Sequence, residues 1–191
     1  ADTQGKWVLL RGLGREAGHL LDFPERLAMA SGGESVYCPE WPGNGWRYRE
    51  TSPCRIEQGM EEYRLQCRQQ LGLPPYRIVG LSMGGMAGLA WLNAYPDEVA
   101  SLAMINSSVA SISPPWQRIS LNAIARLLWA ARRADRRESL VQELTCVCRR
   151  DDPLVLSHWL KLADQPPVRL ANLFFFQNPI SKTAGNKKNE E

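Results

Sequence analysis

The sequence predicts an α/β fold with a parallel sheet of about four strands and helices on both faces. Three observations carry this prediction. Short apolar runs alternate with helical patterns of ten or more residues between Lys6 and Asn106, and this alternation requires crossovers between parallel strands. The strand-like runs are continuously apolar, as in sheets that are covered on both faces. Glycine-rich loops follow three of the strands, at residues 11–15, 39–46 and 80–85.

Composition and charge indicate a single domain and argue against some kinds of partner. The chain has 191 residues, of which 44% are apolar and 23% charged, and this suits one domain with a core of its own. The net charge of +3 is concentrated in seven arginines between Arg126 and Arg150. We interpret these arginines as a solvated helix face, so we expect no nucleic-acid partner. No apolar run approaches the roughly 20 residues of a membrane span, so we expect no membrane partner.

The cysteines and the N-terminal residues indicate in which cellular compartment the protein is expected. Five cysteines are an odd number, and none has the paired spacing of a zinc site. We therefore expect no disulfide framework, no metal and no cofactor, in a reducing, cytoplasmic compartment. No signal-peptide pattern opens the sequence.

The first two strand–helix units occupy the opening part of the chain. Lys6–Leu10 has the length and apolar character of a buried strand, and a glycine-rich turn follows it at residues 11–15. A helix is predicted between Leu20 and Leu27, and the next strand at Ser35–Cys38. The proline- and glycine-rich stretch at 39–46 is predicted to be a loop.

The third unit leads to the most informative motif. A helix is predicted over Ile56–Leu71, a strand over Arg77–Val79 and a helix over Met83–Tyr95. A last strand is predicted within Val99–Asn106, with Ser101–Ile105 as its apolar run. The expected apolar faces are Met60, Tyr63, Leu65 and Cys67 on the first of these helices, and Met86, Leu89 and Ala90 on the second.

Ser82 lies in the turn between this strand and helix, within Gly80-Leu81-Ser82-Met83-Gly84. At the two glycines a β-carbon would collide with neighbouring backbone, so the chain can turn sharply there. The turn presents the serine hydroxyl at the carboxyl end of a strand, beside the backbone N–H of Met83 and the positive end of a helix dipole. The alternative reading is an ordinary strand–helix turn with an inert serine.

Four segments together resemble the α/β-hydrolase fold family over residues 7 to about 110. Leu9-Leu10-Arg11-Gly12 resembles the family's Leu-Leu-His-Gly, with Arg11 in place of His. Pro39 to Gly45 resembles its Asp-x-Pro-Gly-x-Gly loop, Gly80 to Gly85 its nucleophile elbow, and Tyr95-Pro96-Asp97-Glu98-Val99 the segment before its sixth strand.

The resemblance implies a set of site residues. Ser82 would be the catalytic nucleophile, and the backbone N–H groups of Leu13 and Met83 would form the oxyanion hole. Arg11, Gly12 and His19 would contact a small-molecule acyl substrate at the rim of the site. The implied activity is cleavage of a carboxylic ester or related acyl bond through an acyl-serine.

The second half of the chain predicts further helices, at about 118–131, 138–148 and 153–163. The resemblance implies a helical cap over the pocket, entered through Pro114-Pro115-Trp116; the alternative is that these helices simply cover the sheet. We therefore divide the chain into a partial hydrolase core at 1–110, a cap region at 111–176 and a disordered polar tail at 177–191.

The family's acid and base are not identifiable in this sequence. A serine hydroxyl needs a base, and the family's histidine follows its eighth strand. The chain has two histidines, His19 and His158, and neither occupies that place. Catalysis by His158 would require it to fold onto Ser82 with Asp151, Asp152 or Asp164 nearby. The change in composition near Phe176 predicts truncation, an altered reading frame or a fragment.

Three functions follow from these observations. The first is a serine hydrolase of the esterase type. The second is an acyltransferase on the same fold, which differs only in the acceptor of the acyl group. The third is a non-catalytic, incomplete hydrolase-fold protein, in which an exposed sheet edge would favour oligomerisation.

Overall fold

The computed structural model describes residues 5–107, 125–126, 129–130, 133–145 and 152–163. Its strands are β1 (Lys6–Leu10), β2 (Ser35–Tyr37), β3 (Tyr76–Leu81) and β4 (Val99–Ile105). The helices that alternate with them are α1 (Phe23–Ala30), α2 (Ile56–Leu71) and α3 (Met83–Ala94). Two later helices are α4 (Ala134–Thr145) and α5 (Pro153–Ala163). The predicted α/β fold with a four-stranded sheet is confirmed.

The sheet is parallel and has the order β2-β1-β3-β4. After β1 the chain crosses to β2 on one side, and after β2 it returns to place β3 on the other side of β1. The carboxyl ends of β1 and β3 therefore flank the point where the direction of winding reverses. In open α/β sheets ligands bind at this switch point.

The main core lies between the sheet and the helices α2 and α3. Along β3 the buried residues alternate, with Tyr76 and Ile78 facing this core. Trp91 of α3 is completely buried, and its ring meets Tyr76 edge-on at 5.6 Å. Burying such aromatic side chains removes a large apolar area from water, so this layer anchors the turn between β3 and α3.

The predicted apolar faces of α2 and α3 need correction. Leu65 is 54% exposed, and the neighbouring polar residue Gln66 is buried in its place. On α3 the fully buried positions include Ala87 and Trp91, whereas Met86 and Leu89 are only partly buried. Gln66 is buried because its side-chain amide has two backbone partners at Glu40, which periodicity cannot reveal.

Several predictions concern residues outside the described ranges. Most of the helix at 118–131, the hinge at 114–116 and the tail at 177–191 are among these. The domain boundaries and the oligomer through a sheet edge remain predictions; within the described residues, β4 is an edge strand of the sheet. No helix in the described part of the chain is both long and apolar enough to cross a membrane.

Candidate active site

Ser82 lies at the carboxyl end of the sheet, between β3 and α3, with its side chain exposed. Its backbone has φ 54° and ψ −116°, which few residues with a β-carbon adopt. Backbone hydrogen bonds hold it there. The Ser82 N–H donates to the Ile105 carbonyl over 2.8 Å, and the Gly85 N–H donates to the Ser82 carbonyl over 3.0 Å.

The glycines on either side of Ser82 are required by close backbone contacts. A β-carbon on Gly84 would lie 2.2 Å from the carbonyl oxygen of Leu10, and one on Gly80 would lie 2.5 Å from the backbone nitrogen of Gly85. Real β-carbons do not come this close to backbone atoms. The collision expected from the sequence is therefore present, and it lets α3 begin directly against the end of β1.

The segment after β1 approaches Ser82 directly. A β-carbon on Gly12 would lie only 3.4 Å from the Ser82 β-carbon and 3.9 Å from its hydroxyl oxygen. The next residue is Leu13, in a turn that the Arg15 N–H closes by donating to the Gly12 carbonyl over 3.3 Å. We call residues 11–19 the rim segment. Met83, the other predicted oxyanion donor, is the first residue of α3.

Ser107 ties the serine turn to the end of β4. Its hydroxyl oxygen lies 2.9 Å from the carbonyl oxygen of Ser82 and 3.1 Å from that of Ile105. It also fills the space in front of Gly85, where a β-carbon would lie 2.0 Å from the hydroxyl oxygen. Sequence reasoning missed Ser107, because no motif marks a serine that follows an edge strand.

Arg11 and Asn44 have polar side chains buried in the interior. Arg11 is 8% exposed, and its Nε has no hydrogen-bond partner among the described residues. Burial, with a contribution from Arg15, lowers the pKa of its guanidinium to about 10. Asn44 is 1% exposed, and neither its amide oxygen nor its amide nitrogen has a partner in the described part of the chain. The predicted substrate contact of Arg11 remains a prediction.

Glu40 joins the second loop to the rim segment. Its carboxylate accepts a hydrogen bond of 2.7 Å from the Ala17 N–H. The side chain is buried, and burial raises the pKa of Glu40 to about 7. Sequence reasoning did not select Glu40, although it stands where the resembling family loop begins with Asp.

His19 is buried against the later helices. Its Nδ1 accepts a hydrogen bond of 3.2 Å from the Glu16 N–H, and its Nε2 lies 3.9 Å from the carboxylate of Glu138 on α4. Its ring lies 5.8 Å from that of Trp159 on α5. Burial above all, with Arg15 and Arg11 adding to it, lowers the pKa of His19 to about 2. His19 is therefore a neutral imidazole, and its contact with substrate remains a prediction.

His158, on α5, also contacts the rim segment. Its Nε2 lies 3.1 Å from the carbonyl oxygen of Gly18. Neither it nor His19 is hydrogen-bonded to Ser82 in the described residues. Asp151 and Asp164, two of its proposed acidic partners, lie outside the described ranges. A cleft of about 350 Å³ adjoins His158 and is lined by Leu21, Asp22, Asp152, Leu154, Val155 and His158.

Comparison with known proteins gives one family match. Residues 11–173 match a family model described as alpha/beta hydrolase fold. Solved structures agree in fold. An esterase from Rhodococcus sp. ECU1013 has a TM-score of 0.68 at 13% identity, over 93% of this chain and 66% of that one. 2-Hydroxy-6-oxo-6-phenylhexa-2,4-dienoate hydrolase from Rhodococcus sp. strain RHA1 has a TM-score of 0.63 at 22% identity, over 92% and 64% of the two chains.

Curated relatives match over a shorter stretch. A homoserine O-acetyltransferase from Geotalea daltonii is 34% identical over 90 residues, which are 47% of this chain and 23% of that protein. The corresponding enzyme from Geobacter metallireducens is 37% identical over the same shares of the two chains. The chain thus matches about a quarter of the length of these relatives.

Proposed function

Since the chain belongs to the α/β hydrolase fold family, we propose that it acts on acyl compounds as a serine hydrolase, with Ser82 as the nucleophile. The substrate class is a carboxylic ester or a related acyl compound. One observation carries the proposal. Ser82 is exposed with a positive φ at the switch point of the sheet, where a β-carbon on Gly12 would come within 3.4 Å of the Ser82 β-carbon.

The proposed reaction begins with attack by the Ser82 hydroxyl oxygen on the acyl carbonyl carbon. The oxygen–carbon bond forms, the hydroxyl proton passes to a base, and negative charge develops on the carbonyl oxygen. The backbone N–H groups of Leu13 and Met83 are the proposed donors to that oxygen, and the dipole of α3 adds a positive potential. Collapse of the intermediate breaks the bond between the acyl carbon and the alcohol oxygen, and the departing alcohol takes the proton from the base. Water then attacks the acyl-Ser82 carbonyl carbon, giving up a proton to the base; the acid is released and the proton returns to the Ser82 oxygen.

The proposal gives neither histidine the role of base. His19 is buried, and its Nδ1 already accepts a backbone hydrogen bond. His158 directs its Nε2 to the Gly18 carbonyl. Arg11, Gly12 and His19 are retained as proposed substrate-side residues of the rim segment. Activity of these 191 residues therefore requires a base other than these two histidines.

Labelling with a fluorophosphonate tests the proposal. An activated serine displaces fluoride and forms a stable oxygen–phosphorus bond, because the phosphoryl oxygen occupies the oxyanion hole. We expect one adduct on Ser82, located by peptide mass spectrometry, and none in Ser82→Ala. Ser101→Ala, at an exposed serine on β4, is the matched control and should label like the wild type. A folded wild type without an adduct would instead support the non-catalytic alternative.

Acyl transfer is the second candidate, and the curated relatives favour it, because they are named as O-acetyltransferases. In this version the hydroxyl of a small-molecule acceptor replaces water in the second step. Partition of an acyl-Ser82 intermediate between water and an added hydroxylated acceptor distinguishes the two. Transfer product in excess of acid supports acyl transfer, and acid alone excludes it.

A further inference from the structure

The rim segment is covered by α4 and α5. On the α5 side, His158 contacts the Gly18 carbonyl, and a β-carbon on Gly18 would lie 3.0 Å from the side chain of Leu162. On the α4 side, the carboxylate of Glu138 contacts the segment. The loop beside Ser82 is thus held by helices more than 100 residues away in sequence.

Glu138 is a buried carboxylate held between two arginines. It is 3% exposed, and one of its oxygens is hydrogen-bonded and ion-paired to Nη1 of Arg15. The other oxygen accepts a hydrogen bond of 2.9 Å from Nε of Arg137 on its own helix. His19 Nε2 lies 3.9 Å away. Removing a carboxylate from water is costly unless cationic donors pair with it. The Arg15 side chain is therefore held firmly against Glu138.

Arg15 links this carboxylate to the proposed oxyanion hole. Its guanidinium lies 5.0 Å from the centre of the Trp159 ring, so the side chain is held from two directions. Its backbone N–H closes the turn that begins at Gly12. Leu13 and Gly14 are the central residues of that turn, and Gly14 has φ 68°. The position of the Leu13 N–H therefore depends on where Arg15 is held.

We propose that Glu138 is a positioning residue for the Leu13 N–H: by holding Arg15, it fixes the turn that presents this donor to the Ser82 site. This inference rests on the proposed function, because it assigns Glu138 an effect on the chemistry of Ser82. A second, structural part of the proposal is that the contact of Glu138 on α4 with Arg15 keeps the turn at residues 12–15 ordered.

The experiment measures fluorophosphonate labelling in the intact chain, resolved into a maximal labelling rate and a binding constant. We expect Glu138→Gln to lower the maximal rate by about tenfold, less than removal of a whole oxyanion donor, with a nearly unchanged binding constant. Arg15→Gln should give the same loss. The double variant should be no slower than either single variant, because both remove one interaction.

Glu143→Gln is the matched control. Glu143 lies on the same helix in an ion pair with Arg126 that is 43% and 46% exposed at its two side chains. This pair is distant in sequence from the turn and solvent-screened, so its loss should leave the labelling rate unchanged. Amide hydrogen exchange of the peptide containing residues 11–19 provides a second measurement, which should be faster in Glu138→Gln and unchanged in Glu143→Gln.

The outcomes separate the two proposals. If the wild type labels at Ser82 but Glu138→Gln labels equally fast, Glu138 is not a positioning residue, whatever its effect on stability. Unchanged hydrogen exchange in Glu138→Gln overturns the structural claim even in a protein that does not label. Absence of labelling in the wild type overturns the proposed function and the catalytic role of Glu138 with it. Equal, non-additive losses in the two single variants support the inference.

Discussion

At the scale of single residues, Ser82 carries conformational strain. A residue with a β-carbon in this region costs on the order of 1–3 kcal/mol, and the surrounding structure must compensate for it. Two glycine contacts with neighbouring backbone and the hydrogen bond from Ser82 to Ile105 supply that constraint. The strain depends on the β-carbon and not on the hydroxyl, so it can be measured separately from catalysis.

Glycine at position 82 should therefore be more stable than alanine. Both substitutions remove the hydroxyl, but only Ser82→Gly removes the β-carbon. We expect its free energy of unfolding to exceed that of Ser82→Ala by about 1 kcal/mol. Urea denaturation followed by tryptophan fluorescence measures the difference.

The same pair of substitutions at Ser101 gives the comparison. Ser101 lies in the extended backbone of β4, where glycine is less stable than alanine by roughly 0.5–1 kcal/mol. The order of the two variants should thus reverse between positions 82 and 101. An alanine variant that is the more stable one at both positions would argue against strain at Ser82.

Some residues of the candidate site could be predicted from the sequence and others could not. Gly80, Ser82 and Gly84 could be predicted, because a sharp strand–helix turn restricts residue types locally. Glu40 was marked only by its place at the start of a loop that resembles the family's, and Glu138 could not be predicted, because its importance arises from packing against the rim segment. In the sequence, Glu138 is simply one acidic residue in an arginine-rich stretch.

At the scale of elements, α2 positions the loop at 39–46. Trp41 packs over Gly59, where a β-carbon would lie 1.8 Å from the indole ring. The same indole meets the ring of Tyr63 edge-on at 5.3 Å. One turn further along the helix, the Gln66 side chain pairs with both backbone groups of Glu40. The helix thus fixes the buried carboxylate that holds Ala17.

Alanine at position 59 should destabilise the protein. Alanine normally stabilises a helix relative to glycine by about 1 kcal/mol. In Gly59→Ala the buried Trp41 ring must move, so we expect a loss of roughly 2 kcal/mol or more in the free energy of unfolding. Gln58→Ala, at an exposed neighbour on α2, should change it by less than about 0.5 kcal/mol. Equal stabilities of Gly59→Ala and the wild type would contradict this packing.

Element boundaries followed well from the sequence where periodicity is strong. The predicted bounds of α2 and α5 are those observed. The predicted core face of α2 was wrong at Leu65, which is exposed. The neighbouring Gln66 is buried instead, because it packs against a loop backbone and not against an apolar layer. Hydrophobic periodicity reports burial against apolar groups and cannot anticipate a polar side chain that serves a buried loop.

At the scale of the whole molecule, two buried groups oppose each other in the dependence of stability on pH. Glu40 has its pKa raised from 4.5 to about 7 by burial, so the native state keeps a proton that the unfolded state has lost. Stability falls with rising pH across that interval. His19 has its pKa lowered from 6.5 to about 2, so the unfolded state binds the proton first and stability rises with pH up to 6.5.

Glu40→Gln should separate the two effects. Glutamine keeps an oxygen for the Ala17 N–H but does not titrate. Relative to this variant, the wild type should lose about 3 kcal/mol of stability as the pH rises from 4.5 to 7, with a plateau above pH 7. Urea denaturation of both proteins across this range provides the measurement. Parallel curves would show that Glu40 ionises normally in the folded protein.

The sheet class was predictable because alternating strands and helices leave few topologies. The meeting of the segments that follow β1 and β3 could also be predicted, since parallel strands bring their carboxyl ends to one edge. The contacts of the rim segment with α4 and α5 were not predictable, because nothing local in Arg15 specifies a partner 123 residues away.

The separation of Arg15 from Glu138 in the sequence also sets the order in which the contacts of the rim segment can form during synthesis. The contact of Ala17 with Glu40 spans 23 residues and can form once the first two strands have been synthesised. The contact of Arg15 with Glu138 waits for another hundred residues and closes a much larger loop, with a correspondingly greater entropic cost. A nascent chain would thus carry a formed sheet with an unfinished rim, so Ser82 would acquire its surroundings late in biosynthesis.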